Sequence, residues 1–341
     1  MNTINSHTDP AKGFRVSVVA DSVASGVRLT TFACRFPRVI LAEVNTHRAL
    51  SRNAASSRAI PSGVIIEQVR NDPYLPGDLP DGFLCGNEPG MVATKPLDMT
   101  QRGAGYATIL NHSMHAADTA DYLSQAGWHK QDANRYLEPF QWVRWVGTAT
   151  DWTNFFALRT DHRAYPPFRF LARCMWVAFT RSQPQVCRLH LPFITAGDWD
   201  AVNDEINPGV AVDPPDWFPG WWYGRDVSPK MAYNLMAWSA ARCARVSVKN
   251  FRTDDTDRVK DMETFLKLTT DTPKHSSPLE HQGFVNSTGG TLFSGNFRKP
   301  WCQFRKLMPV ETAETFDPSA EEVAGWNVPH DVFGGTPGVD W

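Results

Sequence analysis

The chain has no long apolar run, no paired-cysteine motif and no large excess of charge of either sign, and each absence removes a class of function. Without a run of spanning length, no transmembrane helix is expected, and the polar start Met1–Gly13 does not read as a signal peptide. Six cysteines (Cys34, Cys85, Cys174, Cys187, Cys243 and Cys302) show no CxxC or other metal-ligand spacing. Reduced thiols in a cytoplasm are therefore expected, a host cytoplasm if the chain is phage-encoded. His112 and His115 lie three residues apart without carboxylate partners, so no metal is expected there. A net charge of −2 on 341 residues argues against direct binding of bulk nucleic acid, and 42% hydrophobic content argues against disorder. No GxGxxG follows a strand, Gly290 and Gly295 are followed by Asn296 instead of a P-loop lysine, and there is no GxSxG elbow.

What the chain does have is a dense cationic segment. Residues 47–58, His-Arg-Ala-Leu-Ser-Arg-Asn-Ala-Ala-Ser-Ser-Arg, hold six hydroxyl or guanidinium side chains and no carboxylate. A surface helix normally mixes signs, because opposite charges at i, i+4 stabilise it. Guanidinium forks beside hydroxyl donors suit phosphate oxygens; a solvated basic helix end is the plainer alternative. Upstream, Val27-Arg-Leu-Thr-Thr-Phe-Ala-Cys-Arg-Phe-Pro37 alternates and is rich in β-formers, so it predicts a strand ended by Pro37. Val39, Ile40, Leu41 and Val44 then predict a helix that carries the basic cluster through about three turns. Basic residues clustered on a nearly neutral protein suit a small anionic ligand.

Further along, residues 61–103 are dense in Pro and Gly and predict a long loop. Tyr106, Ile109, Leu110, Met114, Ala117, Ala120 and Leu123 predict a core-facing helix over 104–126. Pro139 suits the first turn of a helix running to Arg159, and residues 167–182 predict another.

Three stretches together resemble the flavin-dependent thymidylate synthases. The first is Arg35-Phe-Pro-Arg-Val-Ile-Leu-Ala-Glu-Val-Asn-Thr-His-Arg-Ala-Leu-Ser-Arg-Asn-Ala-Ala-Ser-Ser-Arg58, similar to the family's arginine-histidine-arginine signature with its distal serine. The second is Asn134-Arg-Tyr-Leu-Glu-Pro139 with Trp152-Thr-Asn-Phe-Phe-Ala-Leu-Arg159. The third is Ala244-Arg-Val-Ser247 with His275-Ser-Ser-Pro-Leu-Glu-His281. In the family the third stretch comes first, so the order here resembles a circular permutation, or alternatively a duplicated half. Asn296-Phe-Arg-Lys-Pro-Trp-Cys-Gln-Phe-Arg-Lys306 faintly echoes the approach to the arginine motif.

The resemblance implies an α/β (α+β) fold, with a central, mostly antiparallel sheet flanked by helices. It implies the following organisation: a flexible 1–13; a part with the nucleotide and flavin motif over 14–200; a Pro/Trp-rich insertion or linker over 201–230; a part carrying the third stretch over 231–311; and an acidic tail over 312–341. It implies reductive C5 methylation of a deoxypyrimidine monophosphate, with FAD as cofactor and methylenetetrahydrofolate and NADPH as co-substrates. A homo-oligomer, tetramer or dimer, is expected. By the likeness Arg159 is the catalytic residue, and Glu43, Ser56, Ser57, Arg58, Arg135 and Arg159 meet the nucleotide. His47, Arg48, Asn53, Asn154, Ser247, His275 and Ser277 meet the flavin. The chain departs from the family pattern at Thr46, Ala54, Ala59, Glu43, Thr148 and Thr150. These departures leave three readings open: a dUMP methylase, a sibling that methylates or hydroxymethylates dCMP, and a non-catalytic nucleotide- or flavin-binding protein. A cytosine-reading pocket needs an acceptor for the N4 amino group, which Glu43, Asp151 or Asp161 could supply.

Overall fold

The computed structural model describes residues 13–76, 86–91, 93, 95–203, 207, 209–219, 227–247, 257–271, 275–286, 294–309 and 319. The expected flexible start, the acidic tail save residue 319, and much of the 201–230 insertion lie outside them, as does the side chain of Ser247.

The first two strands, β1 (Arg15–Ala24) and β2 (Val27–Pro37), form an antiparallel hairpin. Its two-residue turn, Ser25-Gly26, has positive φ at both positions (46° and 76°), the turn geometry whose twist matches that of paired strands. Pro37 ends β2 as the sequence predicts. Then come a short 3-10 turn, α1 (Leu41–Val44), β3 (Ser51–Ala54), α2 (Ser62–Asn71) and α3 (Met99–Gln125). A capping box at Asp98 and Gln101 starts α3 five residues earlier than the apolar stripe alone predicts. The chain continues through α4 (Lys130–Ala133), a 3-10 segment over Asn134–Phe140, β4 (Trp142–Ala149), α5 (Thr153–Arg159) and α6 (Pro166–Arg181). Next are β5 (Gln185–Val186), β6 (Leu189–His190), α7 (Ala196–Ala201), α8 (Pro229–Ala244), α9 (Arg258–Thr270), β7 (Gly283–Val285) and β8 (Trp301–Gln303).

Among the described residues the strands make a five-stranded sheet, β3-β4-β2-β1-β5, and a three-stranded sheet, β6-β7-β8. Every neighbouring pair is antiparallel except β1 with β5. This is the mixed α/β architecture, mostly antiparallel and flanked by helices, that the resemblance implies. One core lies between the large sheet and helices α5 and α6, around Phe32, Phe36, Trp145, Phe155 and Phe168. A second surrounds α8 and takes in Phe265, Phe284 and Phe304.

Three elements differ from the sequence expectation. The basic segment is not helical: α1 stops at Val44, and residues 51–54 pair as β3 with Thr148 to Trp145 of β4. The reason is tertiary. Beta-4 presents an open edge, and Leu50, 2% exposed, pins the start of the segment into the core. The helix expected from Pro139 to Arg159 is broken by β4, whose Trp-Val-Arg-Trp-Val run prefers a pleated, half-buried surface. Gly147 within β4 is required sterically, since a Cβ there would sit 1.8 Å from the Trp145 ring. The expected loop over 61–103 contains α2, whose Ile65, Ile66 and Val69 are buried with Ala117 and Ala120 of α3.

Two buried polar systems fasten the parts together. Arg242 of α8 lies between Asp198 of α7 (2.6 Å) and Asp261 of α9 (2.8 Å), with Arg258 on Asp198 (3.0 Å) and Arg245 on Asp261. Both carboxylates are fully buried, and the guanidiniums offset the desolvation cost through attraction and hydrogen bonds. The second system is a chain of hydrogen bonds from β1 to the turn before β7. Ser22 meets His190 Nδ1 (2.8 Å), His190 Nε2 meets Thr31 (2.7 Å), Thr31 meets Thr148 (2.7 Å), and Thr148 meets His281 Nδ1 (2.8 Å). It ties the two sheets through the interior.

Burial lowers the pKa of both histidines to about 3, and His281 adds to the effect at His190. Their unfolded-state values lie near 6.5, so the unfolded chain binds more protons between roughly pH 6.5 and 3. This stabilising neutrality is fully present above pH 6.5 and is lost as pH falls, by about 2 kcal/mol per histidine at pH 5. Denaturant melts at pH 7 and pH 5 are expected to show this loss, and His281→Gln is expected to flatten it by about half.

Candidate functional site

The expected site residues fall into groups strung along β3 and its flanking turns. At the entry to β3, His47 Nε2 accepts from Arg159 Nε at 2.9 Å, although the two are 112 residues apart. The Arg159 guanidinium also faces Glu43 (3.6 Å) and stacks over Phe168, 4.6 Å from the ring centroid. The His47 ring is wedged edge-on against Phe155 and Phe168. Because Arg159 Nε must donate, His47 Nε2 carries the lone pair and Nδ1 the proton. Burial, then the Arg159 and Arg52 charges, lower its pKa to about 4, so the imidazole is neutral at pH 7. Tyr165 stands nearby. Burial raises its phenol pKa, a hydrogen bond from Tyr74 lowers it, and the Glu43 charge raises it further.

Arg159 also borders a cavity of about 400 Å³ with Leu158, Asp161 and Arg163, a volume within the range of small-molecule sites. Asp161 is held well below the usual carboxylate range by Arg163, which donates to it at 2.7 Å.

In β3 itself, Asn53 donates to the Cys243 carbonyl at 3.4 Å and accepts from Ser277 Oγ at 3.1 Å. Asn53 and Ser277 are thus brought together beside the end of α8, near the backbone of the 3-10 turn Arg245–Ser247. Just past β3, Ser57 donates to Glu138 at 2.8 Å, and Arg135 and Arg38 approach the same carboxylate oxygen at 2.8 and 3.2 Å. Burial works against the Glu138 charge, but Ser57, Arg38 and Arg135 outweigh it and hold its pKa below the ordinary value. Asn134 closes this corner by donating to the Ser57 carbonyl at 2.7 Å.

Other expected residues stand apart. Arg48, Ser56, Arg58, Asn154 and His275 are exposed, and none of them contacts the Glu43–His47–Arg159 group in the described bonds. Among the described residues no carboxylate pairs with Arg48 or Arg58, and both side chains are exposed. Three further arginines are engaged elsewhere: Arg52 with the Asn45 and His47 carbonyls, Arg298 with Asp151, and Arg305 with Glu280. Sequence reasoning missed Glu138, Arg38 and Tyr165. Only Glu138 carried a visible signal, three residues after Arg135. Among the described residues no group of three His, Cys, Asp or Glu could hold a metal, and no helix is long and apolar enough to cross a membrane.

No family model matches the chain, and no curated protein does. Among solved structures it is similar to a UMP/dUMP methylase, PolB, from Streptomyces cacaoi, bound with 5-Br UMP. The likeness is distant: 15% identity and a TM-score of 0.40, over 50% of this chain and 90% of that one.

The tautomer and neutrality of His47 can be measured. Nitrogen NMR of the imidazole is expected to show a protonated Nδ1 and an apparent pKa of about 4. In Arg159→Met the value is expected to rise, because a neighbouring positive charge is gone. An unshifted His47 in the parent chain would show that the two side chains do not meet in solution.

Proposed function

We propose that this chain is a pyrimidine-nucleotide C5-methylating enzyme that is flavin-dependent, with dUMP as the substrate. The observation that carries the reading is the convergence of Glu43 and His47 on Arg159, which itself borders a cavity of about 400 Å³. The chemical difficulty is to make C5 nucleophilic, which places negative charge on a base oxygen. A guanidinium already oriented by neighbours stabilises that charge without reorganising as the reaction proceeds. Neutral His47 serves this role by accepting from Nε, leaving the terminal nitrogens of Arg159 to face Glu43 and the ligand.

The nucleotide phosphate is assigned to exposed Ser56 and Arg58, with Arg135 alongside, where guanidinium and hydroxyl donors suit phosphate oxygens; buried Ser57, its hydroxyl committed to Glu138, positions that corner from behind. The donors for FAD also fit in kind. The exposed Arg48 guanidinium suits a pyrophosphate, and the Asn53–Ser277 pair offers donors and acceptors to a ring edge. Asn154, His275 and Ser247 complete the proposed cofactor set. A bound flavin would supply the hydride that reduces the transferred methylene of methylenetetrahydrofolate to methyl, with NADPH as the external reductant. Homo-oligomerisation belongs to the same proposal.

Glu43 favours a second reading. Its carboxylate lies beside Arg159 and is 42% exposed, so it can accept from the N4 amino group of dCMP.

Purified protein is expected to be yellow or to take up added FAD, and to release tritium from C5-labelled dUMP when folate and NADPH are present. A preparation that stays colourless and takes up no FAD would sink the flavin reading, and release from dCMP alone would transfer the assignment to the second substrate. Arg159→Ala is expected to abolish release while leaving the thermal melt within a few degrees of the parent; unchanged release would remove Arg159 from the chemistry.

A further inference from the structure

A larger cavity of about 610 Å³ lies on the other side of α5 from the Arg159 group. Helix α5 separates the two: Ala157 borders both, whereas Thr153, Phe156 and Thr160 face only the larger one among the described linings. Its walls are aromatic. Trp176 and Phe179 of α6 stack at 27° with centroids 6.3 Å apart, and Phe156 sits edge-on to Trp176 at 5.1 Å. Trp176 nevertheless remains 48% exposed. A large indole left half wet inside a concave aromatic wall presents a flat stacking surface.

The polar groups around this wall define what could stack there. The Arg28 guanidinium is occupied: it forks onto both Asp21 oxygens at 2.8 and 2.6 Å, donates to the Phe179 carbonyl and lies over the Phe179 ring. Asp151 is paired with Arg298 but keeps a partly exposed carboxylate. Arg173 also lines the cavity, so two guanidiniums and one carboxylate, Asp151, are found among its lining residues. The Thr160 hydroxyl donates to the Phe156 carbonyl at 2.8 Å, which leaves its oxygen as an acceptor. Thr150 Oγ1 accepts from Arg298 N at 3.0 Å, which leaves its hydrogen free to donate. The rim thus offers acceptors at Thr160 and Asp151 and a donor at Thr150.

We infer that this cavity binds a planar, amino-substituted heteroaromatic ring of nucleoside size, stacked on Trp176 and held through its exocyclic amino group and a ring nitrogen. The site is separate from the nucleotide-methylation site proposed above and does not rest on that reading.

Saturation-transfer NMR and calorimetry of the full chain, with adenosine as the probe, test the inference. Adenosine is expected to bind, inosine (oxo in place of amino) to bind at least several-fold more weakly, and Trp176→Ala to weaken adenosine at least tenfold. Arg159→Ala is expected to leave adenosine binding unchanged, which keeps this test distinct from that of the methylation site. Trp176→Phe is expected to restore part of the affinity, which separates lost stacking from a damaged fold. Absence of adenosine binding, or binding indifferent to Trp176→Ala, would overturn the inference. So would dissociation of an oligomer by Trp176→Ala in sedimentation, because the aromatic wall would then be a subunit contact.

Discussion

The pairing of a four-residue strand, Ser51–Ala54, with the edge of β4 is the constraint on which the candidate site depends. Those four residues put His47 at one end of the strand, against α5 and α6, and Ser57 at the other, against Glu138. Between them Asn53 reaches Ser277 and the last turn of α8. A helix over the same residues would rotate successive side chains by about 100°, scattering groups that the strand keeps in line. Beta-4 itself is held from behind by Thr148, which belongs to the buried histidine–threonine chain, so site and interior share one scaffold.

That scaffold also explains the polarity of the site. Arginines alone would make an indiscriminate anion patch. Here each of Arg159, Arg135 and Arg38 is aimed by a neighbour: a neutral imidazole and a carboxylate for the first, Glu138 for the other two. Pairing lowers the net charge but fixes direction, and direction is what a reaction with charge developing on one oxygen requires. Arg48 and Arg58 remain at the surface, where long-range attraction matters more than geometry.

Local signals were legible in the sequence. Alternation and Pro37 marked β2, and the apolar period marked α6 and most of α3. The basic segment reads as helix from its sequence, but its strand state is set by an edge almost a hundred residues away; β4 is hidden in the sequence because Pro139 is an acceptable helix start as well as part of a 3-10 segment. At the site, family likeness named Glu43, His47, Arg159, Asn53, Ser277, Ser57 and Arg135 as residues. It did not show that they meet in three separate groups, nor that Glu138 joins two of them. The Ser22–His190–Thr31–Thr148–His281 chain is invisible for the same reason: one hairpin and three remote segments share no spacing to read.

The central claim is that an Arg159 guanidinium oriented by His47 and Glu43 receives the base of a pyrimidine nucleotide. Equilibrium dialysis with radiolabelled dUMP and dCMP, on the parent chain and on Arg159→Met, tests it most directly. The account predicts saturable binding of one of the two nucleotides at one site per chain, weakened at least tenfold by Arg159→Met. Binding of neither nucleotide, or equal binding by the parent and the variant, would contradict it.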